Sequence, residues 1–350
     1  MGARPRNRRT SCRPKNRSVR KTHEARVGYR AQRSCRTRTP AHWWPVSPLQ
    51  RGLGKAARRK ELRTVRIARI GEVGHERLAI MPTESSAIYV DDVVGELSRD
   101  TLGAGALEKL SALDLSGRPV VELTNERIGS PIARPTKIIC VGLNYREHAR
   151  ESGADIPQEP VLFMKSPDTV QGPFDDILVP PGSAATDYEV ELAIIIGAPG
   201  LYLASEEEAL GVIAGFAISQ DVSERYWQLE RGGQWDKGKS FPSFNPLGPY
   251  LLTPDEWNPN NKRMSCSVNG ESRQDSATSD MIFGVGEIVR YISNVMALSP
   301  GDVINTGTPQ GVGFGFTPPR YLSPGDTVET AIEGLGTQRA QVSATAGPHK

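Results

Sequence analysis

The sequence predicts an α+β fold on a mainly antiparallel or mixed β-sheet, with few and scattered helices. Three observations predict it. Short β-branched runs recur through the second part of the chain: KIICVGL, VLFMK, YEVELAIIIG, GFAISQD and GDTVETAI. MSCSVNGESRQ carries Asn269-Gly270, the dipeptide of a type I′ hairpin. Helical spacing is confined to three stretches, near 92–112, in EEEALGVIAG and in MIFGVGEIVRYISNVMAL.

In chain order, residues 1–64 differ from everything after them. They are rich in Arg, Pro and Ser and follow neither hydrophobic period, which predicts disorder. Such a segment suits a nucleic-acid-binding arm, an organelle transit peptide, or a non-native extension ahead of a start near Val65. Pro5 and Pro14 argue against the amphipathic helix of a transit peptide, and the extension is the preferred reading. Residues 65–131 read as a small α+β unit, with strands RIARI and SAIYV and then the 92–112 helix, which Gly103 and Gly105 weaken. Residues 132–350 form the larger domain. NYREHARES begins a helix or tight loop there, and the last helix stops before Pro300-Gly301.

Bulk properties narrow the function. The chain has 350 residues, 37% of them hydrophobic and 24% charged, enough to bury a sizeable core. No run approaches the ~18 apolar residues of a membrane helix. Cys12, Cys35, Cys140 and Cys266 form no CxxC pair, which fits a reducing, cytoplasmic setting rather than a disulfide framework or zinc site. The net charge of +3 hides an asymmetry: residues 1–60 hold 19 of the 43 Lys and Arg and one acid, Glu24. The remaining 290 residues carry 24 bases and 39 acids, a net of −15, so nucleic acid is not an expected partner of the folded part.

The chemistry concentrates in DYEVELAIIIG. On a strand, Glu189 and Glu191 share one face while Val190 and Leu192 enter the core. An isolated ExE is usually a solvated surface pair. Asp221, ending the apolar run IAGFAISQD, adds a third hard oxygen donor, and the set suits Mg²⁺ or Mn²⁺ with room for substrate. His148 and Glu151, three apart, meet on one helical turn, as a base and its orienting carboxylate or as a solvated pair. Lys239 of WDKGKSF offers a cation for an enolate or carboxylate, with Lys237 an alternative. TGTPQGVG offers the Thr308 hydroxyl and glycine-freed amides for a substrate carboxylate. It lacks the Gly-Lys-Ser/Thr ending of a P-loop.

KIICVGLNYREHARES, EPVLFMKSPDTVQGP, DYEVELAIIIG, GFAISQDVSERYWQ, GKSFPSFNPLGPYLLT and INTGTPQGVGFG, in this order, resemble the fumarylacetoacetate hydrolase family over about 137–345. The resemblance implies a mixed β-roll or sandwich, a homodimer and a Mg²⁺ or Mn²⁺ site of Glu189, Glu191 and Asp221. It implies His148 and Glu151 as a dyad on a lid, Lys239 as the catalytic lysine, and Gln228 and Thr308 at the substrate. DVSERYWQLERGGQWDKGKSF is similar to the branch of 2,4-dioxo-3-deoxy-L-rhamnonate and L-fuconate hydrolases, often labelled ureidoglycolate lyases. SFPSFN at 240–245 departs from that branch. The implied activity is C–C hydrolysis of a small 2,4-dioxo acid, with oxaloacetate-type decarboxylation, dienol isomerisation or ureidoglycolate lyase chemistry as alternatives on the same site.

Overall fold

The computed structural model describes residues 66–345, so the expectations for residues 1–64 lie outside it. The first part supplies β1 (Arg66–Ile70), β2 (Arg77–Thr83), β3 (Ser86–Tyr89), helices α1 (Arg99–Gly103) and α2 (Ala106–Ser111), then β4 (Val121–Glu122) and β5 (Ile128–Gly129). There follow β6 (Ile138–Gly142), α3 (Arg146–Glu151), β7 (Val161–Lys165), β8 (Val170–Gln171), β9 (Ile177–Val179), β10 (Thr186–Asp187) and β11 (Val190–Ile196). Next come α4 (Glu206–Leu210), β12 (Ile213–Gln220), β13 (Ser223–Glu224), a π-helical turn at Tyr226–Glu230, α5 (Asp236–Lys239) and β14 (Asn245–Leu252). The chain closes with β15 (Arg263–Val268), β16 (Glu271–Ala277), α6 (Val285–Val295), β17 (Val303–Asn305), β18 (Thr327–Ile332) and β19 (Gly336–Ala344).

Twelve strands form one mixed sheet in the order β4-β3-β2-β1-β14-β12-β11-β17-β6-β7, with β5 beside β1 and β8 beside β14. Its parallel pairs are β17 with β6 and β8 with β14. A second sheet runs β16-β15-β18-β19-β9, and β10 pairs with β13. The α+β class with dominant mixed sheet is therefore observed. Residues 66–131 do not stand apart from this sheet, because β1 pairs with β14 (Arg66 opposite Leu252). Their Ile67, Leu78 and Ile80 share a core with Ile138 and Ile195.

Period-two alternation in β11 makes it the strand between two cores. Val190, Leu192, Ile194 and Ile196 join a core with α6 and the five-stranded sheet. Ala193 and Ile195 join the other, against α1 and α2. Full burial of a Leu or Ile contributes roughly 1.5–3 kcal/mol, so this strand anchors the fold. The predicted helix near 92–112 is shorter and broken. It begins only at the Ser98 capping box with Thr101, and Gly105, at φ +80, separates α1 from α2. EEEALGVIAG is helical only to Leu210; a turn at Gly211 and Val212 follows, and Ile213 begins β12. Asn269-Gly270 makes the expected turn, with φ of +53 and +76. Among the described residues no helix is long and apolar enough to cross a membrane.

Candidate active site

The β11–β12 ladder assembles the carboxylates. Val190 pairs with Gln220, and one step beyond, the Asp221 amide donates to the Glu189 carbonyl at 2.9 Å. Glu189 and Glu191 fall on the face of Ala193 and Ile195, and Asp221 reaches them from the end of β12. All three are buried, at 5%, 1% and 0% exposure, and each offers an oxygen within 4.8 Å of the others.

Three buried anions cost several kcal/mol each unless compensated. Lys239 Nζ donates to Glu189 Oε2 (2.7 Å) and Asp221 Oδ2 (2.9 Å). Arg225 pairs with Glu189 Oε1 at 2.7 Å. Lys165, wholly buried at the end of β7, contacts Asp221 Oδ1 and donates to the carbonyls of Val222 and Phe244. Burial opposes ionisation of Glu189, but Lys239 and Arg225 overcome it and hold its carboxyl at about 2. Glu191 makes no ion pair among the described residues and accepts from the Gly307 amide at 2.8 Å. Burial, with repulsion from Asp221 and Glu189, pushes its carboxyl well up. The donor set fits a hard divalent cation: three carboxylate oxygens converge, and one carboxylate lacks a counter-charge that such an ion supplies.

Sequence left Lys237 and Lys239 as alternatives, and the structure separates them. Lys239 is 2% exposed and faces the carboxylates, while Lys237 is exposed and donates to the Arg231 carbonyl. Gly238 between them allows α5 to sit on the π-helical turn. A Cβ there would meet Gln228 Cβ and the Glu224 carbonyl at 2.5 Å. Gln228 is buried and accepts from Arg225 Nη1 at 2.9 Å.

The predicted dyad forms on α3, with His148 Nδ1 3.2 Å from Glu151 Oε2. Glu151 Oε1 accepts from the Gly311 amide at 2.9 Å. The glycine-freed amides of 307–314 thus differ from expectation, because they serve the protein's own carboxylates instead of lying free for substrate. Gly307 serves Glu191, Gly311 serves Glu151, and Gly313 and Phe314 serve Asp187. The Thr308 hydroxyl is likewise engaged, donating to the Val190 carbonyl and accepting from Gln274.

Sequence reasoning passed over three charged residues. Asp187, wholly buried, accepts from Arg225 Nε at 2.8 Å and fixes the guanidinium that reaches Glu189 and Gln228. Arg225 itself lies four residues after Asp221. Lys165 ends the apolar run VLFMK as Asp221 ends IAGFAISQD, so the same signal could have found it.

His148, Glu189, Glu191, Gln228, Lys239 and Thr308 converge on one cavity of about 60 Å³, with Asp221 and Glu151 held directly behind them. That volume takes a few water-sized groups, the scale of a small keto-acid head. A mixed sheet with a buried carboxylate trio, a paired lysine and a His–Glu dyad around one cavity has the make-up of an enzyme site that could hold a divalent cation. The sequence profile of the fumarylacetoacetate hydrolase C-terminal family matches residues 137–343, and the chain belongs to this family. A relative from Burkholderia multivorans, whose name says no more than hydrolase, is 44% identical over 276 residues, 78% of this chain and 97% of that one. Among solved structures, the fumarylacetoacetate hydrolase of Exiguobacterium antarcticum is similar at 36% identity and TM-score 0.73, covering 81% of this chain and all of that one. A 2-hydroxyhepta-2,4-diene-1,7-dioate isomerase from Mycobacterium marinum matches at 32% identity and TM-score 0.66, covering 81% and 100%. A maleylpyruvate hydrolase from Sphingobium sp. SYK-6, solved with manganese(II) and pyruvate, matches at 27% and TM-score 0.64, covering 80% and 100%.

Proposed function

We propose that the protein hydrolyses the C3–C4 bond of a 2,4-dioxo acid, an acylpyruvate or a 2,4-dioxo-3-deoxy sugar acid, to pyruvate and a second carboxylic acid. The observation that carries this reading is the convergence of the His148–Glu151 dyad and the carboxylate trio on one small cavity. The manganese- and pyruvate-bound maleylpyruvate hydrolase supports it by analogy.

Glu189, Glu191 and Asp221 would hold Mg²⁺ or Mn²⁺, which would supply Lewis acidity toward the 2-oxo acid head. The protein's own groups perform the rest. Lys239, Arg225 and Gln228 surround the head and orient it. His148, oriented through Nδ1 by Glu151, takes a proton from water as the water oxygen bonds to C4. Breaking C3–C4 leaves the electron pair on the three-carbon fragment as an enolate, and the Lys239 ammonium donates to the charge as it develops. The His148 imidazolium returns its proton to C3 to give pyruvate, and the former C4 carbonyl, now bearing the water oxygen, leaves as the carboxylic acid. A second reading, dienol isomerisation by proton transfer through the same dyad, is favoured by the likeness to the M. marinum isomerase.

The test is pyruvate release from acetopyruvate with Mg²⁺, Mn²⁺ or EDTA, with oxaloacetate alongside. Pyruvate release that needs the metal, and is lost in Glu189→Gln without loss of fold, is expected. Full activity in EDTA or in Glu189→Gln would overturn the metal assignment. Rapid CO₂ release from oxaloacetate with inert acetopyruvate would move the reaction to decarboxylation.

A further inference from the structure

Each carboxylate of the trio has one oxygen committed to a firmly held donor. The Lys165 ammonium takes Asp221 Oδ1, the Gly307 amide takes Glu191 Oε2 at 2.8 Å, and Arg225 takes Glu189 Oε1 at 2.7 Å. From this we infer that Lys165, the Gly307 amide and Arg225 make every member of the trio a one-oxygen ligand, an inference that rests on the cation assignment above. The site then accepts a small six-coordinate ion, Mg²⁺ or Mn²⁺, and rejects Ca²⁺. These three are positioning groups, because they touch the ligands and not the cation.

Each donor is fixed by separate means. The Lys165 side chain is wholly buried, and its three N–H groups are all spent, on Asp221 and on the carbonyls of Val222 (3.1 Å) and Phe244 (2.7 Å). The Gly307 amide is backbone, and Thr306 before it donates to the Leu192 carbonyl through its amide at 3.0 Å and its hydroxyl at 2.9 Å. Gly307 turns at φ +99, where a Cβ would lie 2.8 Å from Asn144 Cβ, so the turn is tightly packed. Arg225 is gripped through Nε by Asp187 at 2.8 Å and through Nη1 by Gln228 at 2.9 Å, which brings Nη2 to Glu189.

The other oxygens are placed differently. Lys239 Nζ touches Glu189 Oε2 and Asp221 Oδ2 together, so these two already converge on one positive charge at the cavity. Glu191 lines the same cavity and has no second donor among the described residues. Mg²⁺ is satisfied by single carboxylate oxygens with water or substrate completing its shell, whereas Ca²⁺ gathers about 6–8 oxygens and commonly takes carboxylates through both. Here a two-oxygen grip would deprive a buried ammonium, guanidinium or amide of its acceptor, which is strongly unfavourable. A cavity of about 60 Å³ leaves little room for the extra waters that would otherwise complete the Ca²⁺ shell.

Calorimetry on the full-length protein, titrated with Mn²⁺ and with Ca²⁺, tests this. The wild type should bind Mn²⁺ at least about 100-fold more tightly than Ca²⁺. Lys165→Met frees Asp221 Oδ1, and Arg225→Lys keeps a cation beside Asp187 but loses the fork that spans to Glu189. Each should narrow the ratio about tenfold. A donor that served stability alone would shift the unfolding midpoint and leave the ratio unmoved. Cation-induced infrared difference spectra of the wild type need no variant. Mn²⁺ should widen the gap between the antisymmetric and symmetric carboxylate stretches, as one-oxygen ligation does, and a narrowed gap would overturn the inference. Ca²⁺ binding as tight as Mn²⁺, or a ratio unchanged in both folded variants, would overturn it too. Binding of neither ion would remove the cation assignment itself, which a loss of selectivity alone leaves standing.

Discussion

Replacing Lys165 by methionine removes a buried charge while nearly preserving volume. Its ammonium touches Asp221 and donates to the carbonyls of Val222 (3.1 Å) and Phe244 (2.7 Å), and the side chains of Lys165 and Asp221 are both at 0% exposure. Stranding one partner of a buried pair costs about 3–5 kcal/mol. The Val222 carbonyl, newly unpaired, costs about 1 kcal/mol or more, while that of Phe244 keeps the Val222 amide as donor; these terms overlap, so a loss of about 4 kcal/mol is expected. Against a net stability of roughly 5–15 kcal/mol that is a large share. Urea unfolding followed by tryptophan fluorescence, in EDTA and in saturating Mn²⁺, measures it. If Asp221 holds the cation, the ion restores the lost positive charge and the variant recovers more stability from Mn²⁺ than the wild type does. A loss below about 1 kcal/mol in EDTA would refute the buried-pair argument. An identical Mn²⁺ increment in both proteins would refute Asp221 as a ligand.

Other perturbations probe separate parts of the account. Gly238→Ala forces α5 off the Gln228 turn, displaces Lys239, and should lower kcat by about 100-fold while the far-UV circular dichroism is retained. Glu76 is held below the usual carboxylate range: burial opposes ionisation, but its own backbone amide, Arg127 and Arg69 outweigh it. Its folded value lies under its unfolded one, so its contribution is present above the unfolded value of about 4.5 and is lost as pH falls through the folded value. Glu76→Gln should therefore destabilise the protein at pH 7 and less so in acid, read as thermal midpoints against pH. Burial pushes the Cys266 thiol up to about 12 and raises Cys140 well above its ordinary value, so iodoacetamide at pH 8 should leave both unmodified in native protein and alkylate both in urea. Peptide mass mapping checks this.

The parts of the site legible in the sequence were those announced by a period. Two glutamates at strand spacing share a face whatever the tertiary context, and His148 and Glu151 meet through one helical turn. Asp187 and Arg225 were hidden because nothing in their local pattern sets them apart from solvent-facing charges, whereas Lys165 carried the same signal as Asp221. Tertiary pairing turns all three inward: β6 with β7 brings Lys165 to Asp221, and β10 with β13 brings Asp187 to Arg225. The twelve-strand sheet was obscured in the same way. Pro246 and Pro249 argue against a central strand, yet β14 carries both between β1 and β12, and through it residues 66–131 join the main sheet. Lys237 and Lys239 have the same type and similar surroundings in sequence. Their separation follows from how α5 docks, which Gly238 controls.

The most direct test of the central claim is hydrolysis in H₂¹⁸O with Mg²⁺ or Mn²⁺, with both products analysed by mass spectrometry after brief turnover. The account predicts pyruvate and the second carboxylic acid in equal amounts, one solvent oxygen in the acid derived from C4, and neither product in EDTA. Release of CO₂ in place of the acid, or an isomerised substrate of unchanged mass, would contradict it.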